Sequence, residues 1–223
     1  MNFIKKQRVT GLFLIVLIFL FSCKKGGQSY YSGIHFQKDK VYIFYRETKS
    51  KAGEIARSYN KSNCSYSHVA VGGFLNGKMT LFHILYDEKK QKNKKTELIV
   101  QDIDDFYNPE DEDVKSGAIL QVNEITAKDF AHFKNIVTKL SAQKLKFDTH
   151  FDLNNDNQYY CSELVTHVLE SVNGKYTIKP SAKKITGLDA AILGKDTLVY
   201  YPVDQFLNDH RFTPLKRWQS IKN

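Results

Sequence analysis

The sequence predicts an α+β domain in which an antiparallel sheet packs against helices that follow it in the chain. Two β-rich runs, Tyr66 to Phe74 and Met79 to Tyr86, flank Asn76-Gly77, a strong short-range signal for a tight hairpin. After Thr126, a capping residue, Phe130, Phe133, Val137 and Leu140 recur three and four apart, the period of an amphipathic helix. Cys161, Leu164, Val165, Val168 and Val172 repeat that period until Gly174 ends it.

The chain of 223 residues is long enough for one well-buried domain, and its 42% apolar and 13% aromatic content excludes a disordered chain. The first 22 residues stand apart. Lys5, Lys6 and Arg8 precede an uncharged apolar run from Gly11 to Phe21, which is shorter than the roughly 20 residues of a membrane-spanning helix. A signal peptide over 1–22 is the expectation, with an uncleaved anchor as the alternative. Leu20-Phe21-Ser22-Cys23 resembles the bacterial lipobox, although Phe21 is bulkier than the usual residue. That resemblance implies lipidation of Cys23 and a membrane-anchored lipoprotein of the cell envelope.

Residues 23–33, with Gly26, Gly27 and Gly33, read as a tether, and 34–223 as the domain. Removing Lys5, Lys6 and Arg8 from the formal charge of +9 leaves about +6, a mild excess. Part of it lies in Lys89 to Lys95, which reads as a solvated loop or as a patch attracting anionic lipid or wall polymer. No aromatic residue is interleaved there, so nucleic acid is not an expected partner.

Along the domain, Lys40 to Tyr45 reads as a strand and Ala52 to Tyr59 as a short helix. Past the lysine-rich loop, Glu97 to Val100 and Ala118 to Val122 read as strands around an acidic loop, Asp102 to Asp113. A polar loop, Asp148 to Asn157, precedes the Cys161 helix. The final fifty residues read as short, mixed elements punctuated by Pro180, Pro202 and Pro214.

Register alone locates candidate chemistry. With a two-residue turn at Asn76-Gly77, Leu75 faces Lys78 and His68 faces Leu85. His83 lies two positions from Leu85 and points to the same side as His68, roughly 7–8 Å away along the diagonal. One imidazole can then orient the other as a base. The pair also suits two metal ligands, but no third His, Asp or Glu stands at ligand-like spacing nearby. Cys161 sits at a helix start, where the dipole and free N–H groups favour a thiolate and an oxyanion, so a depressed thiol pKa is expected.

Ser67-His68-Val69-Ala70-Val71-Gly72, Leu81-Phe82-His83 and Tyr160-Cys161-Ser162-Glu163-Leu164-Val165 resemble the permuted papain-like amidases of the YaeF/YiiX type, in the NlpC superfamily of cysteine hydrolases. The resemblance spans roughly Asp39 to Phe206 and implies a circularly permuted papain-like fold, in which the histidine strands precede the cysteine helix. It implies Cys161 as nucleophile, His68 as base and His83 as the third polar residue, where this branch often carries Glu. Tyr160 reads as a substrate contact or as a packed aromatic.

The implied reaction is cleavage of an amide in a cell-envelope substrate, such as a peptidoglycan stem peptide, through an acyl-thioester, with no cofactor. A lipid- or N-acyl-lysine-directed amidase or acyltransferase is the alternative among enzymes. A non-catalytic binding domain with a Cys64–Cys161 disulfide is the alternative outside them. Asp152, Asn154, Asp156 and Glu163 also match positions 1, 3, 5 and 12 of a calcium-binding loop, with Asn157 where glycine belongs. Loop capping explains those residues more simply.

Overall fold

A computed structural model describes residues 30–86, 97–110 and 113–219. The signal-peptide, lipidation and lysine-loop expectations, including Cys23, lie outside these residues. In chain order the elements are β1 (Val41–Thr48), α1 (Lys51–Ser58), β2 (His68–Leu75), β3 (Lys78–Ile84), β4 (Leu98–Asp102), α2 (Ile103–Tyr107), β5 (Val114–Val122) and α3 (Ala127–Ala142). They continue with β6 (Lys146–Phe147), β7 (Gln158–Tyr159), α4 (Cys161–Val172), β8 (Ser181–Lys184), α5 (Gly187–Leu193), β9 (Thr197–Tyr200) and β10 (Phe212–Gln219).

Six strands form one antiparallel sheet in the order β10-β5-β1-β2-β3-β4. The hairpin register is the expected one, with Leu75 opposite Lys78 and Val71 opposite Phe82. Asn76 and Gly77 both take positive φ, as a tight turn that matches the strand twist requires. Alternation then sends Val69, Val71, Phe82 and Ile84 into one core with Phe133, Val137, Leu164, Val165 and Val168 of α3 and α4. On the other face Phe44, Ala70 and Leu81 pack with Ile103, Phe106 and Tyr107 of α2.

Helix ends follow local chemistry. Thr126 and Asp129 form a capping box at α3, each side chain bonding the other's backbone N–H. The acidic stretch read as loop contains α2, because the Asp102 carboxylate caps it through the Asp105 N–H and Phe106 and Tyr107 bury against the sheet. Its acidic residues therefore serve a helix start. The C-terminal segment adds a main-sheet strand: β10 lines the edge, and its Pro214 sits at a register shift, where a missing N–H is tolerated. Tyr30, placed by the sequence in the tether, stacks on Trp218 of β10 at 4.3 Å between ring centroids.

Close packing at this edge is specific. A Cβ at Gly117 would lie 2.5 Å from the Trp218 indole. Gly117→Val is expected to destabilise the domain by about 1–3 kcal/mol through overpacking, read as a lowered urea midpoint, with Gly174→Ala as the open-space control.

Candidate active site

The site forms where the N-terminus of α4 meets the start of β2. Tyr160 and Ser162 pin the helix end to one backbone unit: the Tyr160 hydroxyl accepts from the Tyr201 N–H at 2.6 Å, and the Ser162 hydroxyl donates to the Tyr201 carbonyl at 2.6 Å. Glu163 accepts from the Tyr160 N–H at 3.2 Å, completing the first turn. Ser162 and Tyr201 fall within the stretches that carry the resemblance, but no role was expected of either. Their pairing depends on a return of the chain 39 residues later.

Cys161 is buried and free, and the backbone N–H groups of Val69, Ser162 and Cys161 itself favour its ionised form. Burial outweighs them and pushes the thiol pKa up, contrary to the depression expected from the helix dipole. The dipole is present, but the sulfur has left water. The thiol at rest is therefore protonated near neutral pH.

His68 and His83 are brought together as the register demands. Nε2 of His68 lies 2.8 Å from Nδ1 of His83, with the ring planes nearly perpendicular. Both are buried, and their pKa values fall well below the usual histidine value: burial comes first, followed for His68 by the neighbouring His83 and then Arg46, and for His83 by the charge of Arg46. Gln101 of β4 acts the other way on His83. Arg46, the cross-strand partner of His68, lies with its guanidinium 4.8 Å from the centre of the Phe106 ring, and that ring stacks on His68 at 5.9 Å. No local pattern around Arg46 marks it as a buried cation.

Alternation turns His68, with Ala70, toward Phe106, while Val69 and Val71 face α4. Cys161 thus reaches β2 from the α4 side, at the N–H of the residue that follows His68. Among the described residues no hydrogen bond joins the thiol to either imidazole, and Nδ1 of His68 makes none. The thiol and the His68 ring therefore meet β2 from opposite faces, no hydrogen bond or ion pair joins them among the described residues, and neither histidine lines the cavity beside the thiol.

Beside the thiol is a cavity of about 250 Å³, lined by apolar surface from Ile55, Tyr86, Phe147, Phe151, Tyr160 and Val203 among others. Tyr160 is a packed ring 4.8 Å from Phe151 and forms part of the cavity wall. Cys64 accepts from Asn60 at 3.2 Å and lines a separate cavity with Arg217 and Trp218, so the disulfide with Cys161 is not formed.

The calcium-loop pattern resolves into capping. Asp148 accepts from the His150 and Asp152 N–H groups at 2.8 and 2.6 Å, and Asp152 accepts from Asn154. Glu163 faces the Tyr160 N–H, and burial with Asp148 and Asp152 nearby pushes its pKa up to about 8. Among the described residues no three His, Cys, Asp or Glu side chains converge in a metal-binding cluster. Nε2 of His83 is buried and makes no hydrogen bond of regular geometry, although the Gln101 side chain approaches the ring, and two further metal donors do not accompany it among the described residues.

No family model matches the chain, and no curated protein does. Among solved structures, the chain is similar to the crystal structure of a metalloprotein, yiiX, from Escherichia coli O157:H7. That match has a TM-score of 0.60 at 13% identity and covers 83% of this chain and 100% of the other. The likeness shows a shared yiiX-like fold.

Because both histidines are held neutral, stability has a definite pH dependence. Unfolding frees them to bind protons near pH 6.5, whereas the folded pair titrates lower, so their contribution is full above about 6.5 and is lost as pH falls through that value toward the folded pKa values. The urea midpoint is expected to drop between pH 7.5 and 5. His83→Gln, compared with its own midpoint at pH 7.5, should show a smaller drop.

Proposed function

We propose that this chain is a cysteine hydrolase of the circularly permuted papain-like kind, with Cys161 as nucleophile, His68 as base and His83 orienting that base. The observation that carries the reading is a thiol at a helix N-terminus, met by three backbone N–H groups, beside a strand whose first residue belongs to a buried His–His pair.

In this reading the His68 ring must swing from its Phe106 side to bring Nδ1 to the Cys161 proton as the sulfur adds to a substrate carbonyl, and Nε2 must carry the proton that it donates to Nδ1 of His83 in the resting pair. The amides of Cys161 and Ser162 stabilise the oxyanion. The C–N bond breaks, His68 returns the proton to the leaving amine, and a thioester remains. Water then adds to the thioester while His68 accepts its proton, and the carboxylic acid leaves as Cys161 is regenerated. No cofactor enters these steps. The yiiX neighbour is described as a metalloprotein, but the donor set here does not match a resident metal, and no step is routed through one.

Neutral partners suit this chemistry, because proton transfer accompanies attack and a resting ion pair is not required. Burial, with His83 and Arg46 adding to it, keeps the base unprotonated. As for substrate, the lipobox-like N-terminus supports an envelope location through a lipid on Cys23, and hence an envelope amide. The apolar lining of the cavity favours a lipid-linked or N-acyl amide over a peptidoglycan stem peptide, whose polar backbone would lose hydrogen bonds there.

Intact-mass analysis after mixing with an activated decanoyl ester should find one acyl adduct, on Cys161, absent from Cys161→Ala and retained in Cys64→Ala. His68→Ala should slow its formation by about 10²–10⁴-fold. Turnover of decanoyl-lysine should exceed that of a muropeptide. Acylation at Cys64, or equal acylation without Cys161, rules the reading out.

Arg46→Gln should raise the pKa of the base, moving the acid limb of kcat/KM toward higher pH. A lowered rate with the limb unmoved would mean that Arg46 only packs.

A further inference from the structure

Six large apolar side chains stand exposed among the described residues: Ile55, Val100, Leu188, Ile192, Val199 and Leu215. Four of these, Ile55, Leu188, Ile192 and Val199, come from α1 and the 181–200 segment, the two pieces of chain that border the apolar cavity. Such an uneven distribution calls for a cause, since scattered single apolar residues need none.

The two pieces are joined directly. The Tyr59 hydroxyl, at the end of α1, donates to Asp189 of α5 at 3.4 Å, and Lys183 of β8 donates to the Ser58 carbonyl at 3.3 Å with its ammonium 4.5 Å from the centre of the Tyr59 ring. Tyr59 and Tyr200, which line the cavity, meet edge to face at 5.5 Å. On α5, Ala190 and Leu193 turn inward to the aromatic cluster of Tyr160 and Tyr200. Leu188 and Ile192, four apart on the same helix, are 74% and 68% exposed. Ile55 both lines the cavity and is 55% exposed, so the apolar wall continues out to the surface at its mouth.

Charge frames this surface. Residues 179–196 carry Lys179, Lys183, Lys184 and Lys195 against Asp189 and Asp196, and residues 49–61 carry Lys49, Lys51, Arg57 and Lys61 against Glu54. Exposed aliphatic side chains amid a net excess of lysine match the interfacial region of an anionic bilayer, where the apolar groups enter the acyl boundary and the ammonium groups meet headgroups.

We propose that the α1–α5 face is a membrane-docking surface for an anionic lipid bilayer, which places the mouth of the Cys161 cavity against the lipid. It rests on that cavity being the substrate site of the proposed hydrolase. An acylated substrate would then pass from the bilayer into the cavity past Ile55 without its chain crossing water.

The test uses the full chain with phosphatidylglycerol-rich vesicles that contain brominated lipid, a quencher confined to the bilayer. Leu188→Trp and Ile192→Trp should each be quenched several-fold more than Lys128→Trp on α3, after subtraction of the Trp218 background. Lys179→Glu combined with Lys184→Glu, both exposed, should reduce that quenching. Quenching no greater than at Lys128→Trp, or undiminished by the charge reversal, overturns the proposal. Neither readout requires turnover, so an active enzyme that fails here loses the docking surface alone, and an inactive one that passes loses the chemistry alone.

Discussion

The hydrogen bond between Nε2 of His68 and Nδ1 of His83 sets the terms for the rest of the site. In water such a contact is worth little, because each nitrogen finds a solvent partner equally well. Here both rings are buried against Phe106, beside a guanidinium that opposes any added positive charge. The pair stays neutral, and one proton is shared between the two facing nitrogens. Whichever nitrogen carries it fixes the tautomer of the other ring, and with that the atom left free to act as a base.

The same dryness governs the thiol. Three backbone N–H groups point to Cys161, the arrangement that would lower a thiol pKa at an exposed helix end, yet removal from solvent outweighs them. Neutral sulfur and neutral imidazole form a resting state in which charge appears only as bonds change. Catalysis in the proposed scheme then depends on preorganised donors: the helix N-terminus held by Tyr160 and Ser162 on Tyr201, and the strand fixed by its register with β1 and β3.

How much of this was legible in the sequence depends on how far apart the cooperating residues lie. The hairpin was readable because Asn76-Gly77 fixes a register that carries His68 and His83 with it, and the start of α4 was readable from its apolar period. Helix α2 was hidden because its acidic residues resemble a loop until Phe106 and Tyr107 find a core that only β1, β2 and β3 together create. The cavity draws on Ile55, Tyr86, Phe147 and Val203, which no local pattern links. The direction of the thiol pKa was misjudged for the same reason, since burial is a property of the assembled fold and the dipole a property of one helix.

The account stands most directly on the location of one proton. Nitrogen-15 NMR of the imidazoles at pH 7.5 is predicted to find His68 neutral, protonated at Nε2 and bare at Nδ1, so that a lone pair remains for the thiol. A His68 ring protonated at Nδ1, or charged at that pH, would contradict the proposed base and leave the thiol without a proton acceptor.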